Sequence, residues 1–267
     1  MSQHPHQYAT LTLAYDGPVA TVTLNRPDKR NAISHQLIEE LHHALHEVLK
    51  APAHILILTG AGAAFCAGMD LDDLREITRL TEEENLADSG RMAHMFRTLF
   101  DFPKVTIAAV NGAAIAGGCG LATLCDFTLA AANSKFGYTE VRIGFVPAIV
   151  STFLMRQVGE KQARDLLLTG RIIDAEEAHR IGLVNEVVAP ENLLVRAREL
   201  ADTLSPTARR LCWLRNGCSK RILTWTSTAR SRRRSTRMRV FAQPMTFGKA
   251  LAPFWRSVNR IGQGGRL

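Results

Sequence analysis

The stretch NGAAIAGGCGLATLCD, from Asn111 to Asp126, decides how the rest of the chain is interpreted. It follows the apolar segment KVTIAAV, which predicts a buried strand. A second glycine-rich stretch, TGAGAAFCAGMDL from Thr59 to Leu71, follows the apolar segment HILIL. A glycine-rich turn that opens a helix leaves backbone N–H groups without partners, so two such turns can direct two donors at one oxygen. The pair predicts an oxyanion hole.

Nucleotide binding is the first alternative for these turns. Gly60 and Gly62 begin a GxGxxG pattern, but Phe65 occupies the position of the third glycine. The missing glycine argues against a dinucleotide-binding fold. No GK[ST] sequence is present, which excludes a P-loop. One such turn alone would be explained equally well as a tight connection without a chemical role.

Outward from these stretches, strand and helix patterns alternate as far as residue 202. TLTLAYDG and VATVTLN alternate in period two on either side of Asp16-Gly17, which predicts a hairpin. FTLAAANSKFG and GLVNEVV also resemble strands. Helices are predicted after three residues that suit the N-cap, which are Ser34, Thr81 and Asp174. Such alternation predicts an α/β fold with short crossovers.

Length and composition predict a single large domain or a domain with an appendage. The chain has 267 residues, of which 46% are hydrophobic. No apolar run is long enough for a membrane span or a signal peptide, so we expect a soluble, cytoplasmic protein. The five cysteines are odd in number and form no CxxC pair, which favours reduced thiols.

Charge divides the chain sharply. Residues 1–202 hold all 25 acidic residues and only 18 of the 33 Lys and Arg. The remaining residues hold 15 Lys and Arg and no acid, and TARSRRRSTRMRV, from Thr228 to Val240, contains six arginines. A change of this kind indicates either a basic binding module or a tail that differs in origin from the body.

Five ordered motifs carry a family resemblance: NRPDKRNAIS, AFCAGMDL, AAVNGAAIAGGCGLATLCDF, KFGYTEVRIGFVP and LLLTGRIIDAEEAHRIGLVNEVV. Together they resemble the enoyl-CoA hydratase/isomerase (crotonase) superfamily. The resemblance implies a crotonase-like spiral of ββα units with a C-terminal helical trimerisation region. It also implies homotrimers or hexamers, an acyl-CoA substrate, and no cofactor beyond the coenzyme A of that substrate. We therefore expect an acyl-CoA-binding core over residues 1–205 and an atypical region over residues 206–267.

The resemblance assigns the two oxyanion donors to backbone N–H groups. The first belongs to Met69, which follows Gly68, and the second to Gly117, which precedes Gly118. A thioester carbonyl between them would become an enolate, with each donor contributing about 3 kcal/mol to the barrier reduction.

Substrate contacts are expected from residues around these donors. Ala67 lies in the loop that contacts the adenine of coenzyme A in this family. Lys29 and Arg30 occupy positions suited to its phosphates, although two solvated charges in a turn explain them equally well. The further residues expected to bind substrate are Gly68, Asp70, Leu71 and Gly118, whereas Asp126 is expected to be structural.

The acid–base assignment leaves two reactions open. Typical hydratases of the family carry two glutamates, but here Gly120 stands in place of the first, and Glu140 matches the second. One carboxylate over an oxyanion hole favours a double-bond shift, while FGYTEVRIGFVP is closer to hydratases. Thioester hydrolysis, C–C cleavage and a non-catalytic or nucleic-acid-binding relative are the remaining alternatives.

Histidine and cysteine patterns give weaker candidates. His42 and His46 lie four residues apart on a predicted helix, but no third metal ligand is apparent, so no metal site is expected. Cys119 and Cys125 have no base beside them in sequence and are expected to be packing residues.

The basic tail is interpreted as a frameshift product. Decoded from the third base of each codon, Arg221 to Leu251 can encode an acidic sequence that ends in DDFREGI. Gly248 to Gly265 can continue it as EGIGALLEKRKPNWAG, and the whole is typical of a crotonase C-terminus. The slip is expected between about Ala208 and Asn216. A basic arm for nucleic acid is the alternative, although the tail carries no recognisable nucleic-acid motif.

Overall fold

The structure is a computed structural model that describes residues 7–77, 79–145 and 147–208. The predicted atypical region at residues 206–267, with its frameshift, lies outside the described residues except for residues 206–208.

In the described residues, ten strands form two sheets. They are β1 (Leu11–Asp16), β2 (Val19–Leu24), β3 (Ile55–Gly60), β4 (Ala64–Cys66), β5 (Val105–Val110), β6 (Ala113–Ile115), β7 (Phe127–Ala131), β8 (Lys135–Gly137), β9 (Ile172–Asp174) and β10 (Glu186–Val188). The larger sheet has the order β1-β2-β3-β5-β7-β10, and the smaller one has the order β4-β6-β8-β9. The predicted hairpin is confirmed as the antiparallel pair β1–β2, and every other pair in the larger sheet is parallel.

Helices connect and cover the strands. They are α1 (His35–Lys50), α2 (Leu71–Ile77), α3 (Glu82–Phe100), α4 (Gly117–Leu124), α5 (Ala148–Thr169), α6 (Ala175–Arg180) and α7 (193–208). The three predicted N-caps are confirmed, because the side chains of Ser34, Thr81 and Asp174 each accept a backbone N–H of the first turn. Thr81 and Glu84 form the complete capping box.

A three-part unit repeats along the chain. A strand of the larger sheet, a strand of the smaller sheet and a helix follow one another as β3–β4–α3, β5–β6–α4 and β7–β8–α5, with α2 inserted before α3. Each repeat moves the chain one position along both sheets, because β3, β5 and β7 are neighbours, as are β4, β6 and β8. The predicted spiral of ββα units is confirmed.

Two apolar cores cover the two faces of the larger sheet. The first core packs α1, α3, α4 and α5 against one face. The second lies on the opposite face, where α7 contributes Leu193, Ala197, Ala201 and Ala208. Strands buried on both sides explain the uninterrupted apolar runs, since a parallel sheet of this kind has no solvent face.

One strand prediction was wrong in its extent. FTLAAANSKFG forms two strands, β7 and β8, that belong to different sheets. The chain turns between them at residues 132–134, where the buried Ser134 donates its hydroxyl to the carbonyl of Val110 at 2.8 Å. Within the described ranges, no helix is both long and apolar enough to cross a bilayer.

Candidate active site

A cavity of about 500 Å³ lies between α2, α3, the start of α4 and the segment that follows β8. Its wall is mainly apolar. The residues that line it are Ile33, Ala67, Met69, Leu71, Leu74, Asp88, Ser89, Met92, Phe96, Ile115, Ala116, Gly117, Thr139, Glu140, Arg142, Ile143, Phe145, Pro147, Val150 and Ile172. The three predicted catalytic residues, Met69, Gly117 and Glu140, therefore meet at one cavity.

The loop that carries Met69 is fixed by backbone hydrogen bonds to the segment before α1. Ile33 donates its N–H to the carbonyl of Gly68 at 2.7 Å, and Asp70 donates to the carbonyl of Ile33 at 2.9 Å. The N–H of Met69, between these two bonds, has no partner among the described residues. Gly68 has a φ of +91°, and a Cβ there would stand 3.0 Å from the Ile115 carbonyl oxygen, so a side chain is excluded.

Gly117 supplies the second donor. It is the first residue of α4, and its N–H also has no partner in the described part of the chain. Ala116 before it has a φ of +50° and donates its own N–H to the carbonyl of Gly137 at 2.7 Å. A Cβ on Gly68 would lie 3.7 Å from the nitrogen of Gly117, so the two glycine-rich turns are in contact.

Glu140 lies in a short 3-10 turn, Thr139–Ile143, that follows β8. Its Oε2 atom is buried and accepts no hydrogen bond within the described residues. Burial disfavours the charged form, and this raises the pKa of Glu140 from 4.5 to about 7, although a hydrogen bond to its own backbone N–H acts in the opposite direction. A carboxyl group with such a pKa can accept and release a proton at neutral pH.

The position of the missing glutamate, at Gly120, is closed by apolar side chains. A Cβ on Gly120 would lie 2.6 Å from Cγ1 of Val150 and 3.5 Å from Cζ of Phe96. Both neighbours line the cavity. Apolar side chains therefore fill the space that a glutamate side chain at position 120 would occupy, and this side of the cavity is apolar.

The predicted substrate-binding residues divide into two groups. Ala67 and Leu71 line the cavity. Gly68 and Gly118 lie behind the wall, and a Cβ on Gly118 would stand 2.1 Å from the carbonyl oxygen of Cys66. That close approach allows α4 to pack directly on β4.

The charged candidates lie outside the cavity wall. Asp70 is buried and binds Arg26 at 2.8 Å, and hydrogen bonds, including those from Asp72 N–H and Arg26, hold its pKa below the usual value against the effect of burial. Lys29 pairs with Asp72 at 3.2 Å, and both side chains are at least half exposed. Arg30 is exposed with a left-handed φ of 51°.

Three weaker candidates have structural surroundings. Asp126 accepts from the N–H and the hydroxyl of Thr106, each at 2.9 Å. His42 contacts His94 with 3.1 Å between the Nε2 atoms, and the described residues contain no group of three or more side chains suited to a metal. Burial raises the pKa of Cys119 to about 12, as expected of a packing thiol.

Four polar residues of the cavity wall, Asp88, Ser89, Thr139 and Arg142, were not predicted from the sequence. A signal for Asp88 exists, because Asp88, Met92 and Phe96 follow one another at intervals of four on α3 and therefore share a helix face. Because that pattern mixes one acid with apolar residues, it gives no indication by itself that the face borders a cavity.

Fold and site together define a class of protein. It is a ββα spiral in which two backbone N–H groups, without a partner in the described part of the chain, and a buried carboxyl group surround a mainly apolar cavity. A family model described as enoyl-CoA hydratase/isomerase matches residues 15–241. The chain belongs to this family.

Individual relatives support the assignment. A Thermus thermophilus protein assigned as an enoyl-CoA hydratase is 46% identical over 199 residues, which cover 73% of this chain and 79% of that protein. The crotonyl-CoA hydratase of Syntrophomonas wolfei is 40% identical over 197 residues, covering 73% of this chain and 75% of the other. The crystal structure of an enoyl-CoA hydratase from Shewanella pealeana matches with a TM-score of 0.74 and 31% identity, covering 86% of this chain and 90% of that one.

Proposed function

We propose that this protein adds water across the double bond of a 2-enoyl-CoA thioester. The observation that carries the proposal is the meeting of three groups at one cavity. They are the N–H groups of Met69 and Gly117, which have no partner among the described residues, and the buried carboxyl group of Glu140. Relatives at 40% and 46% identity are named as enoyl-CoA hydratases or a crotonyl-CoA hydratase, which supports the same reaction.

The thioester oxygen would accept hydrogen bonds from both N–H groups, which lowers the energy of the enolate as negative charge develops there. Glu140, in its carboxylate form, takes a proton from water while the water oxygen bonds to the β-carbon. The electron pair of the double bond moves to the enolate. Glu140 then returns the proton to the α-carbon, so that one water molecule is added and the carboxylate is restored.

A double-bond shift is the second candidate, and one observation favours it. Because Val150 and Phe96 occupy the space beside Gly120, Glu140 is the single carboxylate in the position expected of an acid–base residue. One carboxylate over an enolate can remove a proton from C2 of a 3-enoyl-CoA and deliver it to C4. The two reactions use the same groups and differ in whether water is bound.

Coenzyme A binding and assembly complete the proposal. Lys29 and Arg30 are exposed near the Ala67 loop and would attract the phosphates, and Ala67 would contact the adenine. The reaction uses no cofactor besides the coenzyme A of the substrate. The protein would act in the cytoplasm as a homotrimer or a hexamer, and the exposed apolar residues Ile143, Leu168 and Ile172 support contact with other subunits.

The experiment follows the absorbance of the conjugated enoyl thioester in purified full-length protein. Hydration of a 2-enoyl-CoA removes this absorbance, whereas isomerisation of a 3-enoyl-CoA creates it. We expect loss of absorbance with the 2-enoyl substrate. The Glu140→Gln variant should lower kcat by about 100- to 10,000-fold because it cannot transfer a proton.

Glu83→Gln is the matched control, since Glu83 is an exposed acid on α3 that does not line the cavity. It should keep the full rate. Gain of absorbance with the 3-enoyl substrate alone would replace hydration by isomerisation. Unchanged activity of Glu140→Gln with both substrates would overturn the role of Glu140.

A further inference from the structure

Two adjacent polar residues of the cavity wall, Asp88 and Ser89, have no part in the proposed reaction. Asp88 and Ser89 lie side by side on α3 and both line the cavity. Only 5% of the Asp88 side chain is exposed, so this carboxylate is buried in a mainly apolar wall. A buried carboxylate is costly unless its oxygens are bonded, so its position calls for an explanation.

Partners are present for only one of the two oxygens of Asp88. Oδ1 lies 2.5 Å from Nε2 of His35 and accepts from Arg91 at 2.9 Å. No hydrogen bond from the described residues reaches Oδ2 or the hydroxyl of Ser89. Neither atom is among the fully buried ones that lack a partner, so both are open to the cavity. An acceptor oxygen and a hydroxyl group that can donate are thus left beside each other at the cavity.

Asp88 is separated from the reacting centre along α3. Phe96, two turns further along the same face, packs beside Gly117 and Gly120, within 3.7 Å of the position of a Cβ on either. Eight residues of helix span about 12 Å. The Phe96 end of α3 therefore lies beside the proposed oxyanion donor Gly117, and the Asp88 end borders a part of the cavity about 12 Å away.

We propose that Asp88 and Ser89 bind a hydroxyl group on the acyl chain, so that the preferred substrate is a hydroxylated 2-enoyl-CoA. The hydroxyl would donate to Oδ2 of Asp88 and accept from the hydroxyl of Ser89, which satisfies both unpartnered groups. A plain alkyl chain would cover the carboxylate without bonding it and would lose this contribution. The inference rests on the proposed hydration and deepens it by naming a substrate class.

Asp88 already has a charged partner, so it does not require a cation from the substrate. Arg91 already contacts the carboxylate, and His35 bridges it to Asp73, with 3.3 Å between Nδ1 and Oδ2 of Asp73. The carboxylate therefore has a cationic partner before any substrate enters.

The test compares kcat/KM of the full-length protein for an unsubstituted medium-chain 2-enoyl-CoA and a series with one hydroxyl at each position beyond the double bond. We expect at least one hydroxylated substrate to be preferred by about tenfold or more. Asp88→Leu should reverse this preference, and Ser89→Ala should reduce it. If Asp88→Leu does not fold, Asp88→Asn replaces it in the test, because asparagine keeps the shape of the side chain.

Arg91→Met separates recognition from the ion pair, because it removes a partner of Asp88 but leaves Oδ2 in place. It should keep the preference for the hydroxylated substrate. An equal or better rate with the unsubstituted chain would overturn the proposal while hydration itself stands. So would an unchanged preference in Ser89→Ala together with an unchanged preference in Asp88→Leu or Asp88→Asn. If no substrate is turned over, the proposed function fails, and dissociation constants for the corresponding saturated acyl-CoA pairs then decide whether Asp88 binds the hydroxyl.

Discussion

A carboxyl group that works as an acid–base catalyst in an apolar wall is stabilised poorly by its surroundings. Glu140 illustrates the conflict, since its Oε2 atom is buried without a partner among the described residues. Burial raises its pKa to about 7, so the folded protein holds this proton more tightly than the unfolded chain does. The stability that this proton provides is fully present below the unfolded pKa of 4.5 and is lost as pH rises through about 7.

Glu140→Gln should therefore stabilise the protein at alkaline pH while it abolishes activity. We expect a gain of about 1–3 kcal/mol in the free energy of unfolding at about pH 8, and almost none at about pH 4, because glutamine has no charge to bury. Urea unfolding at the two pH values measures the difference. Glu160→Gln, which removes an exposed partner of Arg164, should change stability by less than about 0.5 kcal/mol. Equal effects of Glu140→Gln at both pH values would contradict the raised pKa.

Gly117→Pro removes the N–H of Gly117 at the first position of α4, where helices tolerate proline. Gly117→Pro should lower kcat by about 100- to 1,000-fold through loss of one oxyanion donor. Gly117→Ala keeps the N–H and is the matched control, with a modest cost because its Cβ would lie 3.2 Å from Cδ1 of Ile33. Steady-state kinetics on both variants tests the assignment. Equal rates in the two would show that steric change, rather than the missing donor, accounts for the effect.

Among the helices α1 to α7, α3 contributes the most residues to the cavity wall. It begins at the capping box of Thr81 and Glu84. Thr81→Ala should cost about 1 kcal/mol in the free energy of unfolding. Thr98→Ala is the control on the same helix, since its hydroxyl bonds only to the carbonyl of His94 within the turn before it. Chemical denaturation compares the two. A similar loss in both would mean that the cap contributes nothing beyond the general effect of removing a threonine.

The turn before α4 contains stored strain. Ala116 adopts a φ of +50° and a ψ of −122°, a conformation that suits glycine rather than alanine. Ala116→Gly should raise the free energy of unfolding by about 1 kcal/mol, because relief of strain exceeds the added freedom of the unfolded chain. Ala122→Gly, in the interior of the same helix, should lower it by about 1 kcal/mol or more. Calorimetric melting distinguishes these opposite signs.

Sequence patterns predicted those features of the helices and strands that depend on residues close together in the chain. The caps at Ser34, Thr81 and Asp174 were predictable because a side chain and a nearby N–H suffice to form them. The division of FTLAAANSKFG between two sheets was not, since it depends on Val110 and on other strands distant in sequence. Glu140 could be predicted because a local sequence motif contains it. Asp88 could not, because its place in the cavity wall depends on how α3 packs against the rest of the fold.

At the scale of the whole molecule, the change of charge after residue 202 concerns the origin of the basic tail. The relatives described above match 197 and 199 residues of this chain, a length similar to that of the acid-containing part. We expect resequencing of the source gene to reveal one missing or extra base between the codons of Ala208 and Asn216. The intact mass of the protein from its natural source provides an independent measurement. An unchanged sequence would make the basic tail genuine, and a salt-sensitive complex with RNA would then be the next measurement.

The packing of Ala208 has a consequence for inheritance. Both faces of the larger sheet are already covered by residues up to this alanine, which is buried in the second core. A frameshift in the gene after this codon therefore leaves the residues of both cores unchanged. Because these cores can still fold, the product is not removed as an unfolded protein and can accumulate in the cell. Selection would detect such an allele by the flux through its pathway rather than by the abundance of its product.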